Sequence, residues 1–186
     1  MNEVLKAIAQ RYSCRDFADN APLDSAQIEA IVKAALAAPS GLNRQPWHIM
    51  VITDKALIEE MDAEGMRILA ESPEHKETYE RMMSRGGKLL YNAPCMFLIA
   101  SEALWAYATM DCGILCQNIT LAAQSLGLGS IIVAMTNVPL SGTRGEEFKK
   151  RVKFPEGYTF GMSVLVGTVQ TGKEPHDLDM SKVTYI

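Results

Sequence analysis

The sequence Pro39-Ser40-Gly41-Leu42-Asn43-Arg44-Gln45-Pro46-Trp47 separates a predicted helix, Ser25 to Ala38, from a predicted strand, Trp47 to Thr53. Neither element suits this stretch, because its prolines lack a backbone N–H and its glycine tolerates positive φ. A connection that only reversed the chain direction would be shorter and less varied.

Three polar side chains of this stretch are short and neutral, and they can donate and accept hydrogen bonds at the edge of a polar heterocycle. They belong to Ser40, Asn43 and Gln45. The same residue types are common in turns. The residues alone therefore leave two interpretations open, a binding loop and a helix end followed by an ordinary turn.

The composition is that of a globular protein. The chain has 186 residues, 48% hydrophobic and 22% charged, which predicts one domain over residues 1–186. A net charge of -4 and a pI near 5.4 argue against electrostatic binding of nucleic acid. The apolar runs are too short to cross a membrane, and the acidic N-terminus Met1-Asn2-Glu3 is unlike a signal peptide, so we expect a cytoplasmic protein.

Four cysteines, at positions 14, 95, 112 and 116, predict reduced and buried thiols. Only Cys112 and Cys116 are close in sequence, at i and i+4 on one face of a predicted helix. This pair is at most half of a metal site, and no histidine or second cysteine pair completes it. We therefore expect no metal.

The segment Arg11-Tyr12-Ser13-Cys14-Arg15-Asp16-Phe17 follows a short predicted helix, Glu3 to Gln10. In an extended chain Arg11, Ser13 and Arg15 point to the same side. Two guanidinium groups flanking a hydroxyl supply the charge-assisted hydrogen bonds that a phosphate accepts. The alternative is a solvated basic face neutralised by Asp16 and Asp19.

Hydrophobic periodicity and capping signals predict the remaining elements. Asp24-Ser25-Ala26-Gln27 has the spacing of a capping box. Trp47 is expected in the core, and the chain from Gly167 onward is expected to be an unpacked tail. The other predicted elements are a helix from Asp54 to Ala70, strands at 96–100, 130–135 and 158–166, and a short helix at 146–152.

Two further segments are predicted to face something other than the protein's own core. Glu74 to Tyr91 is polar and helical, and Gly86-Gly87 weakens it, which predicts a lid or an exposed excursion. Leu104 to Leu126 is predicted as a long helix with apolar or small residues on every face, ended by Gly127. Burial all round in a chain this small indicates a partner subunit.

Taken together, these motifs resemble the nitroreductase family of FMN-dependent reductases. The resemblance covers nearly the whole chain in family order: RYSCRDF at 11–17, PSGLNRQPW at 39–47, Ala93-Pro94 before a strand, SLGLG at 125–129 and a strand ending at Val166-Gly167. It implies an α+β fold, a central, mainly antiparallel sheet flanked by helices. It also implies an intertwined homodimer with two FMN sites at the interface.

The resemblance assigns roles toward FMN. Arg11 and Ser13 would hold the phosphate, and Arg15 would lie beside N1 and O2 of the isoalloxazine. The residues that would approach the flavin from the opposite subunit are Ser40, Gly41, Asn43 and Gln45. Three more residues fall at cofactor-binding positions: Tyr12, Pro39 and Lys88.

Two assignments depart from the family pattern. Position counting after SLGLG places Ala134 and Met135 at the flavin, with the Met135 amide toward N5. The family often has an acidic residue followed by glycine there, so only the backbone contact carries over. In the tail, His176 takes the position of a family arginine that reaches the phosphate, with Lys173 nearby. A histidine clamp is sensitive to pH.

The activity implied is hydride transfer from NAD(P)H, through flavin N5, to nitroaromatics, quinones or similar electron-poor acceptors by a ping-pong mechanism. The flavin supplies the redox chemistry, so no catalytic acid, base or metal is assigned to the protein. Two alternatives remain open. One is another flavin reaction on the same scaffold, such as dehalogenation or dehydrogenation. The other is a non-enzymatic FMN-binding or sensing protein.

Overall fold

The centre of the molecule is a four-stranded antiparallel sheet, seen in a computed structural model that describes residues 2–186. All three strand pairings are antiparallel. In chain order the strands are β1 (Trp47–Ile52), β2 (Cys95–Glu102), β3 (Gly129–Val133) and β4 (Tyr158–Gly167), and their spatial order is β1-β2-β4-β3. The predicted mainly antiparallel sheet is confirmed.

Helices cover both faces of this sheet. Because side chains alternate along a strand, β2 sends Met96 and Leu98 into one core and Phe97 and Ile99 into another. Trp47 joins the second core, as predicted. The helices are α1 (Glu3–Gln10), α2 (Ser25–Leu36), α3 (Lys55–Glu71), α4 (Lys76–Met83), α5 (Ala108–Ser125), α6 (Asn137–Ser141) and α7 (Gly145–Arg151). Within the described residues, every helix is too short or too polar to cross a lipid bilayer.

Capping residues set the starts of the early helices where the sequence predicts them. Asp24 accepts the Gln27 N–H at 2.7 Å, and the Gln27 side chain accepts the Asp24 N–H at 3.0 Å, which completes the capping box of α2. The Asn2 and Asp54 side chains accept the Leu5 and Leu57 N–H groups and so cap α1 and α3 without the reciprocal bond. Satisfying these N–H groups stabilises each helix by about 1 kcal/mol.

The long helix predicted at Leu104 begins only at Ala108. The preceding residues form a turn, in which the Trp105 carbonyl accepts the Ala108 N–H at 3.1 Å. In the single chain Met110, Gly113 and Gln117 are exposed along one stripe of α5, so burial on every face would require the partner subunit that the sequence predicts.

The segment from Glu74 to Tyr91 is exposed over much of its length, as its polar composition predicts, but it is anchored to the core. Only residues 76–83 form α4 within it. Met82, Leu89 and Leu90 are all at most 3% exposed, and they join the core beneath α3. These three apolar anchors hold a polar segment against the body of the protein.

The tail begins later than predicted. The Thr168 carbonyl accepts the Ala18 N–H at 2.9 Å, and the Asp16 carbonyl accepts the Gln170 N–H at 3.0 Å. An unpacked tail from Gly167 is therefore wrong for residues 168–170, because they pair with the N-terminal segment. Residues 171–186 are exposed apart from the half-buried Pro175.

Candidate active site

The segment from Arg11 to Phe17, here called the arginine segment, is fixed to the edge of the sheet. Ser13 pairs in parallel with Ser130 on β3, and the Cys14 N–H donates to the Ser130 carbonyl at 2.9 Å. Farther along, Phe17 pairs with Val169. Cys14 and Phe17 are the buried side chains, at 1% and 3% exposure, so these two residues anchor the segment and leave its arginines outside the core.

Neither arginine of this segment has a carboxylate partner among the described residues. Four other arginines do, within 4.0 Å: Arg44, Arg67, Arg144 and Arg151. Arg81 and Arg85 also lack one, but they lie in the exposed last turn of α4 and just after it rather than in a segment anchored to a strand. The alternative interpretation, a basic face neutralised by Asp16 and Asp19, requires ion pairs that these arginines do not form.

Arg15 folds back over its own segment toward Tyr91. Its Nη1 lies 3.4 Å from the Ser13 carbonyl oxygen, and its guanidinium carbon lies 6.0 Å from the centre of the Tyr91 ring. Tyr91 has a left-handed backbone with φ of 51°. The structure thus brings Arg15, Ser13 and Tyr91 together at one place, and sequence reasoning missed the tyrosine.

The turn that carries Tyr91 also carries Lys88, and a buried aspartate holds it. Asp62 on α3 is 6% exposed and accepts the Leu90 N–H at 2.5 Å. Burial raises the pKa of the Asp62 carboxyl, while the Leu90 N–H and the nearby Lys88 ammonium act in the opposite direction. Lys88 is half-buried and lies close enough to this carboxylate to lower its pKa, without forming an ion pair within 4.0 Å.

Tyr12 lies against the start of the tail. A Cβ placed on Gly172 would be 3.6 Å from the Tyr12 hydroxyl oxygen. Burial raises the pKa of the Tyr12 phenol, and the facing Lys173 backbone N–H acts in the opposite direction. The tail of the same chain therefore brings Lys173 to the arginine segment, while His176 is exposed.

Residues Pro39 to Gln45, here called the polar loop, are held by their own side chains. The Ser40 hydroxyl oxygen accepts the Gln45 N–H at 2.8 Å, and the Gln45 side-chain amide donates to Asn43 Oδ1 at 3.2 Å. Leu42, Asn43 and Gln45 all have φ between 52° and 54°. Three non-glycine residues in the left-handed region are unusual for an ordinary turn and are typical of functional loops.

A carboxylate from α5 fastens this loop. Asp111 accepts the Gly41 N–H at 3.1 Å and the Trp105 indole N–H at 2.9 Å. Sequence reasoning missed Asp111, because a single aspartate in a predicted helix gives no local signal of a partner so far away in the chain. Within the described residues, no hydrogen bond joins the polar loop to the arginine segment.

Ala134 and Met135 lie just beyond β3, which ends at Val133 rather than at 135 as predicted. Their carbonyl oxygens accept the Asn137 and Val138 N–H groups, each at 3.0 Å, and so begin α6. The Met135 N–H donates to no hydrogen bond within residues 2–186. A free amide at the end of a strand is suited to bind a ligand atom.

The four cysteines are free and buried, as predicted. Burial raises the pKa of the Cys95 and Cys116 thiols to about 12. Thiols that stay protonated near neutral pH are not nucleophiles. The chemistry available at the site therefore consists of cations, backbone N–H groups and neutral polar side chains.

Comparison with known proteins identifies the family of the chain. A sequence profile described as the nitroreductase family matches residues 8–168, which include the arginine segment, the polar loop and all four strands. The chain belongs to the nitroreductase family.

Solved and curated relatives agree with this family assignment. A nitroreductase with bound FMN from Desulfitobacterium hafniense is 49% identical, with a TM-score of 0.94 over 100% of this chain and 99% of that one. A protein of Archaeoglobus fulgidus, provisionally named an NADH dehydrogenase/NAD(P)H nitroreductase, is 32% identical over 70% of this chain and 67% of its own. An FMN reductase [NAD(P)H] of Bacillus subtilis is 27% identical over 89% of this chain and 65% of its own.

Proposed function

We propose that this nitroreductase-family chain is a single FMN-binding domain and acts as an FMN-dependent oxidoreductase supplied by NAD(P)H. The observation that carries the proposal is the pair of arginines on the arginine segment, anchored at the sheet edge and left without carboxylate partners. An anionic cofactor with a phosphate and an electron-accepting ring matches this donor set. The solved relative named above contains FMN.

Different residues of the site contact different parts of the cofactor. Arg11 and Ser13 bind the phosphate, and Lys173 or His176 adds a second cation from the tail. Arg15 lies at the ring, with Tyr91 behind it, and Lys88 adds positive charge on the same turn. Tyr12 supports the tail at this point.

The polar loop and the turn after β3 supply neutral contacts. Ser40, Asn43 and Gln45 form hydrogen bonds with the edge of the flavin ring. The loop backbone from Pro39 to Gly41 approaches this ring closely. Ala134 and Met135 present backbone, with the Met135 N–H free to donate to a ring nitrogen. None of these groups needs to exchange a proton, so the protein contributes no catalytic acid or base.

When bound, FMN takes a pair of electrons from a nicotinamide and delivers them to an acceptor. We propose that donor and acceptor occupy the same place in turn, which predicts ping-pong kinetics. An open, stacking site favours electron-poor rings such as nitroaromatics and quinones.

Visible spectra of the purified protein test this function. We expect a bound flavin spectrum that is bleached under anaerobic conditions by NADH or NADPH and restored by a quinone or nitroaromatic. Bound flavin that neither nicotinamide bleaches would instead indicate a non-enzymatic FMN-binding protein. Protein without any flavin affinity would refute the proposal.

We also propose a homodimer in which the polar loop of one protomer serves the flavin site of the other. The exposed stripe of α5 (Met110, Gly113 and Gln117) is one face available for the partner. The apolar side of α1 is another, since Val4, Leu5 and Ile8 are 47–64% exposed. A groove of about 430 Å³ lies between α1, α2 and α5.

Gly113→Arg is expected to abolish the dimer while the protomer still folds. Nothing lies within 4 Å of a Cβ at this position in the single chain, so the new side chain is tolerated there. In a dimer, an unpaired buried charge costs on the order of several kcal/mol. Sedimentation should show monomers for Gly113→Arg and dimers for Ala63→Arg, a matched change at an exposed position of α3. A dimeric Gly113→Arg protein would place the interface elsewhere.

A further inference from the structure

Asp111 is a buried carboxylate to which the proposed chemistry gives no part. It lies in the first turn of α5 and is 3% exposed. Its Oδ1 accepts the Gly41 N–H at 3.1 Å, and its Oδ2 accepts the Trp105 indole N–H at 2.9 Å. A buried charge is costly unless it is paired or hydrogen-bonded, and here both oxygens have donors. One side chain thus connects the polar loop, α5 and the turn before α5.

The loop that Asp111 holds is strained. Leu42, Asn43 and Gln45 are all in the left-handed region, and the Leu42 side chain is 92% exposed, so its own packing does not stabilise the conformation. Such backbone persists only where the surroundings fix it. The bond from Gly41 to Asp111 immediately precedes the strained residues and is one of the contacts that fix them.

Trp105 is the second residue that holds the polar loop in place. Its edge donates to Asp111, and the Arg44 guanidinium carbon lies 5.0 Å from the centre of its ring. The Nε of Arg44 in turn donates to Glu102 Oε2 at 2.8 Å. A Cβ on Gly41 would be 3.2 Å from the Trp105 ring, so loop and indole are in close contact.

We propose that Asp111 is a positioning residue for the cofactor. It fixes the polar loop in the binding conformation before the flavin arrives, so that Ser40, Asn43 and Gln45 do not have to be ordered on binding. This inference rests on the proposed function, because it requires the loop to contact FMN. Asp111 itself does not touch the cofactor.

Asp111→Asn tests the proposal with almost no change in size. The amide oxygen can accept from only one of the two donors, and its NH₂ group then faces the other donor. We expect the Kd for FMN to rise about tenfold or more, mainly through faster dissociation. Trp105→Phe removes the indole N–H that donates to Asp111, and it should raise the Kd for FMN by a smaller factor. The double variant should be less than additive, since both changes act on one carboxylate.

Glu64→Gln is the matched control. Glu64 is also a buried carboxylate, 6% exposed, but its partner is Arg67 on the same helix, α3. Its neutralisation should lower the melting temperature of the protein without changing the Kd for FMN. Circular dichroism of the bound flavin adds a readout of how firmly the ring is held, and it should weaken only in Asp111→Asn.

The outcomes separate the two proposals. If the wild-type protein has no affinity for FMN, the proposed function fails first. If wild type binds FMN and Asp111→Asn binds it equally well with the same flavin dichroism, only the positioning role is overturned. It is also overturned if Glu64→Gln raises the Kd as much as Asp111→Asn at an equal loss of melting temperature.

Discussion

Arg11→Ala is expected to weaken FMN binding by about 1.5–3 kcal/mol, the contribution of one hydrogen bond to a charged group. Arg11 follows the last residue of α1, is half-buried and has no carboxylate partner within 4.0 Å among the described residues. Its loss should leave the midpoint potential of any flavin still bound unchanged, because the phosphate is remote from the redox-active ring. Equilibrium dialysis and spectroelectrochemistry measure the two quantities separately.

Arg15→Ala is expected to change the midpoint potential of the bound flavin. Reduction adds negative charge to the N1–O2 end of the flavin ring, so removal of the nearest cation should lower the midpoint potential. Arg15→Lys should restore part of it, since the charge returns without the planar fork. Arg81→Ala, an exposed arginine of α4, controls for net charge. An Arg15→Ala potential equal to that of wild type would contradict the assignment and leave the arginine segment as a general anion site.

Gly129→Ala is expected to destabilise the fold at the point where the arginine segment is attached. A Cβ there would lie 2.7 Å from Val169 Cγ2 and 2.8 Å from the Cys14 sulfur, closer than real contacts allow. Overpacking of this kind costs about 1–3 kcal/mol. For a protein of this size the melting temperature should fall by roughly 2–12 °C.

The Gly129 prediction has a control and a rescue. Gly172→Ala should be nearly neutral, because its Cβ would meet only the Tyr12 hydroxyl at an ordinary 3.6 Å. Val169→Ala removes the atom of closest contact and should recover part of the stability of Gly129→Ala. An unchanged melting temperature for Gly129→Ala would mean that Cys14 and the arginine segment move aside easily.

The sequence predicted elements whose signals are local. Asp24 and Gln27 are three residues apart, so the capping box could be read directly. The Trp47 strand is apolar apart from His48, so it could also be read directly. α6 was missed, because Pro139 lies in the middle of only five residues and reads as a turn. The start of α5 was placed too early, because nothing near Trp105 shows that its side chain is committed to Asp111.

In the candidate site, too, only the parts with a local signal in the sequence could be predicted. The arginine segment and the polar loop stand out, since each concentrates unusual residues in a few positions. Asp62 and Asp111 do not, because each accepts a backbone N–H from a residue distant in the chain, Leu90 and Gly41 respectively. The left-handed backbone of Leu42 and Tyr91 was likewise unreadable, as neither residue type favours it.

The two pairings of the arginine segment also bear on the order in which the chain can assemble during synthesis. The segment leaves the ribosome well before its partners Ser130 and Val169. The central strands have the same dependence, since β2 pairs with β4 only after residue 167 is made. Closing such long loops is slow. The arginine segment is therefore synthesised before both of its partners, and a nascent chain that stops before Val169 lacks the pairing of Phe17 that helps to anchor it.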